Sequence, residues 1–170
     1  MEEITSFGVL GERLGFLLHH VDMGAMAALC ERLSPLGVTP GRATAVVYIG
    51  LHEGCDQITL GRALGVNRAS TMKAIDELEL LGAIERRPGR DRRTNALHLT
   101  AAGRALRGAI ERSTLEHDHS AFTALSADER AELRRLLTKL RSPAGTGFAA
   151  VSVAATLVSG AKAPAAPRKD

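Results

Sequence analysis

The sequence predicts a mainly α-helical protein that carries one small β-hairpin, and three observations predict it. Apolar residues recur every three or four positions along most of the 170-residue chain. The stretch "ITLGRALGVNRASTMKAIDELELLG" reads as two short helices joined by a tight turn. The segments on either side of "RPGRDRR" alternate apolar and polar residues as strands do.

Each element follows from local chemistry. Ser6 to about Leu33 is expected as a long first helix, with Leu10, Leu14, Leu17, Leu18, Val21, Met26, Leu29 and Leu33 at helical spacing, stopped by Ser34-Pro35. Thr39 as N-cap and Pro40 at the first position open a second helix ending near Gly54. Ile58 is expected as a short extended segment, the first of three strands. Thr59 then caps a helix that buries Leu60, Ala63 and Leu64 and ends on a left-handed Gly65. Asn67 caps the next helix, whose apolar face is Thr71, Ala74, Ile75, Leu78 and Leu81 and which Gly82 closes. Ile84–Arg87 and Thr94–Leu99 form the hairpin, with Leu97 and Leu99 on one face. Thr100 caps a long fifth helix, and Ser126 with Glu129 makes a capping box for a sixth. Beyond Ser142 the composition turns to Ala, Gly, Pro and Ser, as expected of a mobile tail with a short helix at 148–158.

Hydrophobic residues make up 45% of the chain, enough for one domain or for subunits that finish a core by pairing. Net charge is only +3, yet Arg86, Arg87, Arg90, Arg92 and Arg93 crowd around one Pro-Gly turn with a single aspartate. That local excess points to a polyanionic partner. Aromatic residues are 3% of the chain, too few for a platform that stacks single-stranded bases. A helix whose exposed N-terminal half carries Asn67, Arg68, Ser70 and Lys73 suits the major groove of duplex DNA. An arginine-tipped hairpin beside it suits the adjacent minor groove.

The segment "LGRALGVNRASTMKAIDELELLGAIERRPGRDRRTNALHLTAAG" resembles the winged helix-turn-helix of the MarR family of bacterial transcription regulators. The family's wing signature falls on Asp91, Arg93, Leu99, Thr100 and Gly103. The resemblance extends through "ERLGFLLHH" and "GVTPGRATAVVYI" upstream and "ALSADERAELRRLLTKL" downstream, over residues 6 to 141. It implies an intertwined homodimer reading a pseudo-palindromic operator. It places Arg93 in the minor groove with Asp91 orienting it, Arg90 and Arg92 beside it in the wing, and Ser70 and Lys73 facing the major groove. Met72 stands where many members carry a small hydroxyl residue, and a thymine methyl suits it. The chain then divides into N-terminal helices for dimerisation and ligand binding at 6–56, a DNA-binding lobe at 57–100, C-terminal dimerisation helices at 101–141 and the tail at 142–170.

The family implies a small effector as well, often an aromatic carboxylate or its coenzyme A thioester, in a cleft lined by the first, second and fifth helices. Arg13, Phe16, His19, His20, Met23, Arg42 and Tyr48 are the candidate lining: cations for a carboxylate, a phenol and imidazoles for ring substituents, and an apolar slot for the ring. His19 and His20, being adjacent, diverge by about 100° on a helix and do not share one small site. Thiol sensing is the rival switch, but neither Cys30 nor Cys55 sits in a run of cations. His117 and His119, two apart, also diverge on a helix, so no metal is expected, and no cofactor. A phosphate loop, a nucleophile elbow and a zinc-protease motif are all missing from the sequence, which argues against an enzyme. A winged helix serving as a protein-interaction module remains the alternative from another class. The N-terminal segment does not read as a secretion signal and no apolar run is long enough to cross a bilayer, so a cytoplasmic protein without a membrane partner is expected.

Overall fold

The computed structural model describes residues 7–89 and 95–141. The elements run α1 (Leu14–Leu33), α2 (Pro40–Leu51), α3 (Gln57–Leu64), α4 (Arg68–Leu80), β1 (Ile84–Pro88), β2 (Asn95–Leu99), α5 (Ala101–Ala121) and α6 (Ala127–Arg141), with short 3-10 turns at Gly8–Leu10 and Ser34–Leu36. Among the described residues, no helix is long and apolar enough to cross a membrane. The expected tail lies outside the described residues.

The described residues fall into two compact units, one holding the chain up to Pro40 and from Ala105 onward, the other Gly41–Arg104. In the first, Leu33, Val38 and Ile110 are buried, and Arg32 of α1 donates to Glu116 of α5 at 2.9 Å and to Ser120 at 3.3 Å. The capping box of α6 forms as expected: Ser126 N donates to Glu129 Oε2 at 2.8 Å, and Glu129 N donates to Ser126 Oγ at 3.3 Å.

In the second unit, α2, α3 and α4 pack with the hairpin. β1 and β2 pair antiparallel with Ile84 opposite Leu99 and Arg86 opposite Leu97. Leu97 and Leu99 are both buried, as are Ile75 and Leu78 of α4, as the alternation required. Thr100 ties the hairpin to α5: its hydroxyl donates to Gly82 O at 2.6 Å and accepts from Gly103 N at 2.9 Å. Gly103 permits the approach, because a Cβ there would stand 1.8 Å from Ala83 O.

Several expectations are corrected. The first helix starts at Leu14, not Ser6: Gly8 adopts φ +53° and Arg13 is extended, two glycines within four residues making helix entropically costly there. The strand expected at Ile58 is absent, since α3 already begins at Gln57, capped by Asp56 rather than Thr59; the Asp56 carboxylate accepts from Thr59 N at 2.7 Å. The third strand shrinks to one bridge, in which Leu97 N donates to Cys55 O at 2.9 Å and Gly54 N donates to Leu97 O at 2.8 Å. Ala63 is exposed, and Gly61 takes the buried position instead, where an added Cβ would lie 2.7 Å from Thr71 Oγ1. Leu81 is also exposed, because α4 ends at Leu80 and Gly82 at φ +71° redirects the chain so that Ala83 turns inward. The second helix likewise stops at Leu51, short of Gly54.

Candidate nucleic-acid interface

The centre of the site is α4. Gly65 at φ +65° ends α3, and the Asn67 side chain accepts from Ser70 N at 2.9 Å to start α4. Thr71, Ile75 and Leu78 then form the buried stripe, with Thr71 Oγ1 donating to Asn67 O at 2.9 Å. Helical geometry turns Met72 and Lys73 away from that stripe, and both are exposed; Arg68 is in line with Thr71 and Ile75 but is exposed at the first position of the helix, with Ser70 half-buried. A cation at the start of the helix, and a thioether and a second cation just beyond it, are thus exposed over its first two turns. Asn67 is exposed too, but its side-chain oxygen is committed to the cap, which leaves the amide N–H groups for a partner.

The wing supplies charge unevenly. Arg86 is held by Asp76 and Glu79 of α4, and Arg87 Nε donates to Glu85 at 2.9 Å. Two of the five clustered arginines are therefore paired at the base of the hairpin. Arg90, Asp91, Arg92 and Arg93, the tip, lie outside the described residues. Further along, Arg104 donates to Leu99 O at 2.8 Å and Arg107 pairs with Glu111 at 2.8 Å. Those two are structural or surface cations.

A helix of this kind beside a basic hairpin is the arrangement of a DNA-binding lobe, and comparison with known proteins bears on it directly. A MarR family model matches residues 36–94. The chain is 32% identical over 142 residues to a transcriptional regulatory protein for the hcr operon of Thauera aromatica, covering 82% of this chain and 85% of that one. It is 30% identical to the multiple antibiotic resistance protein MarR of Escherichia coli, covering 75% and 90%. This chain belongs to the MarR family.

The resemblance in fold agrees. A MarR family protein of Mycobacterium tuberculosis solved in complex with DNA superposes with a TM-score of 0.69 at 29% identity, covering 76% of this chain and 98% of that one. The same mycobacterial protein has been solved with salicylic acid, at a TM-score of 0.63 and 28% identity, covering 75% and 95%. The chain is accordingly a winged helix-turn-helix transcriptional regulator.

Of the residues nominated for an effector, Arg13, Phe16, His19, His20 and Met23 lie in the first unit and Arg42 and Tyr48 in the second. The Phe16 ring sits 4.3 Å from that of His20 and 5.1 Å from that of Phe7, while Tyr48 lies 4.3 Å from His52. His19 and His20 are on adjacent faces of α1, His19 exposed and His20 half-buried. Arg42 is bound by Glu77 of α4 at 2.7 Å. Phe7 had no sequence signal of its own and enters because the turn at Gly8–Leu10 brings its ring to Phe16, whereas His52 stands at helical i, i+4 spacing from Tyr48.

Cys55 sits on the bridge to Leu97, and burial pushes its thiol pKa up, helped by the charges of Asp56 and Glu53. Among the described residues no group of three or more His, Cys, Asp or Glu side chains is arranged to hold a metal ion. His117 is buried and its Nδ1 has no hydrogen-bond partner.

Proposed function

We propose that this regulator acts in the cytoplasm as a homodimeric repressor of a catabolic or efflux operon, and leaves a pseudo-palindromic operator when a small aromatic carboxylate or its coenzyme A thioester binds. The exposure of Arg68, Met72 and Lys73 over the first two turns of α4, while Thr71, Ile75 and Leu78 are buried, carries the DNA half of this proposal. Exposed in this way, their chemistry is available to base edges and phosphates.

Pairing is supported by the apolar surface of the helical unit. Leu14, Leu18, Val21 and Met23 on α1 and Leu136, Leu137 and Leu140 on α6 are exposed. A groove of about 460 Å³ between α5 and α6 is lined by Leu115, Phe122, Leu133 and Leu137 with Arg130 and Arg134. A second copy would cover such a surface, and two-fold pairing would set two lobes about one helical turn of DNA apart. For the effector, the support is the mycobacterial relative bound to salicylic acid together with the cation-and-aromatic character of Arg13, Phe16, His20 and Tyr48 here.

The test is selection of duplex DNA from a random pool by the purified protein, then titration of the winning site with aromatic acids and thioesters. An inverted repeat released by one compound is the expected outcome. Failure to enrich any sequence at low salt would remove the DNA assignment, and a site that no aromatic acid or thioester releases would remove the effector class alone.

A further inference from the structure

The C-terminal half of α4 carries three carboxylates, Asp76, Glu77 and Glu79, on the very helix assigned to a polyanion. Every one of them is met by a guanidinium from another element. Arg86 of β1 reaches both Asp76 and Glu79, and Arg42 of α2 reaches Glu77 at 2.7 Å. Asp76 and Glu79 share one side of the helix, while Glu77 lies roughly 100° or more round it, so the two arginines grip α4 from different directions. Both guanidiniums are partly withdrawn from solvent, at 29% side-chain exposure for Arg42 and 28% for Arg86. Ion pairs of this exposure contribute little to stability, but they fix geometry: a planar fork with two carboxylates in reach sets where a helix can roll.

We propose that Arg86 and Arg42 are positioning residues for operator recognition. They set the roll of α4 between the wing strand and α2, and through it the direction of Arg68, Met72 and Lys73; Arg86, although part of the arginine-rich wing, makes no phosphate contact of its own. This inference rests on the assignment of α4 to duplex DNA.

Affinity for the selected duplex, measured as a function of salt, separates positioning from contact. By charge alone, removing two carboxylates from a DNA-binding helix tightens binding. The arginine frame requires the opposite sign: Asp76→Asn with Glu79→Gln weakens binding by about tenfold. Arg86→Gln does the same while leaving the slope of log affinity against log salt unchanged, whereas a lost phosphate contact lowers that slope by about one per arginine. Arg42→Glu also weakens binding, and adding Glu77→Arg restores it to within about threefold of the wild type. Tighter or unchanged binding by the carboxylate variant, a reduced slope for Arg86→Gln, or no recovery in the charge swap would each overturn the proposal. Melting curves accompany the titrations; if a single variant melts early, the swap decides, since it keeps both charges and restores the pair. A wild-type protein that selects no duplex at all instead removes the DNA assignment, before the frame comes into question.

Discussion

In the lobe Gly41–Arg104, the side chains of Val46, Ile49, Leu60, Ile75, Leu78, Ile84, Leu97 and Leu99 are all at most 2% exposed. In the helical unit, Leu14 is 79% exposed, Leu115 62% and Leu140 50%, and among its described residues Leu33, Val38 and Ile110 are the large apolar side chains that are buried. The lobe closes a core with its own residues, although Leu51, Ile58, Leu80 and Leu81 stay exposed on it. The helical unit spends its apolar residues on a surface that one chain does not cover. One region is finished by folding; the other leaves an apolar surface that the proposed second copy would cover.

That contrast breaks most severely from inside the lobe. Gly103→Ala places a Cβ 1.8 Å from Ala83 O, a clash with backbone that no rotamer relieves. The expected loss is about 3 kcal/mol or more in urea denaturation; wild-type stability would mean that the hairpin and α5 are less tightly joined than the structure shows. In the helical unit the same logic acts on association. Leu14→Asp puts a charge on the exposed apolar surface at the first position of α1, where a carboxylate favours the helix, so the fold is spared. The dimer dissociation constant is expected to rise about a hundredfold in sedimentation equilibrium. An unchanged dimer would assign that surface to something other than a second copy.

The remaining two effects are smaller. Arg93→Ala is expected to weaken operator binding by more than about tenfold with the dimer intact, since the proposed minor-groove contact would be repeated in both subunits. Equal affinity would move the wing's role to Arg90 or Arg92. Asp56→Ala removes the cap of α3 and is expected to cost about 1 kcal/mol of thermal stability. Thr59 N–H holds the Asp56 carboxyl below its ordinary range. A pKa depressed on folding contributes stability above the unfolded value of about 3.9, and that contribution fades as pH falls through the lower folded value. The gap between wild type and variant is therefore full at neutral pH and closes in acid below about pH 4; a gap that stays open in acid would show that the cap does not act through the ionised carboxylate.

What the sequence made legible was what is decided within about four residues. The Asn67 cap, the left-handed Gly65 and Gly82, the Ser126–Glu129 box and the shared face of Leu97 and Leu99 all belong to this class. Competing local solutions were harder: Asp56 and Thr59 are both good caps, and only packing decides that Asp56 starts the helix and Thr59 donates to it. The third strand was lost for the same reason. Tertiary pairings left no local trace. Arg86 with Asp76 is ten residues apart and Arg42 with Glu77 thirty-five, so an arginine-rich run looked uniformly unpaired when its base was already neutralised.

The division of α4 has a consequence for descent. Because Thr71, Ile75 and Leu78 are buried while Met72 and Lys73 are exposed, the exposed positions can change without endangering the scaffold. After duplication of such a chain, one copy can acquire a new genomic address through a few outward substitutions, and inherit its folding and its partner choice unaltered.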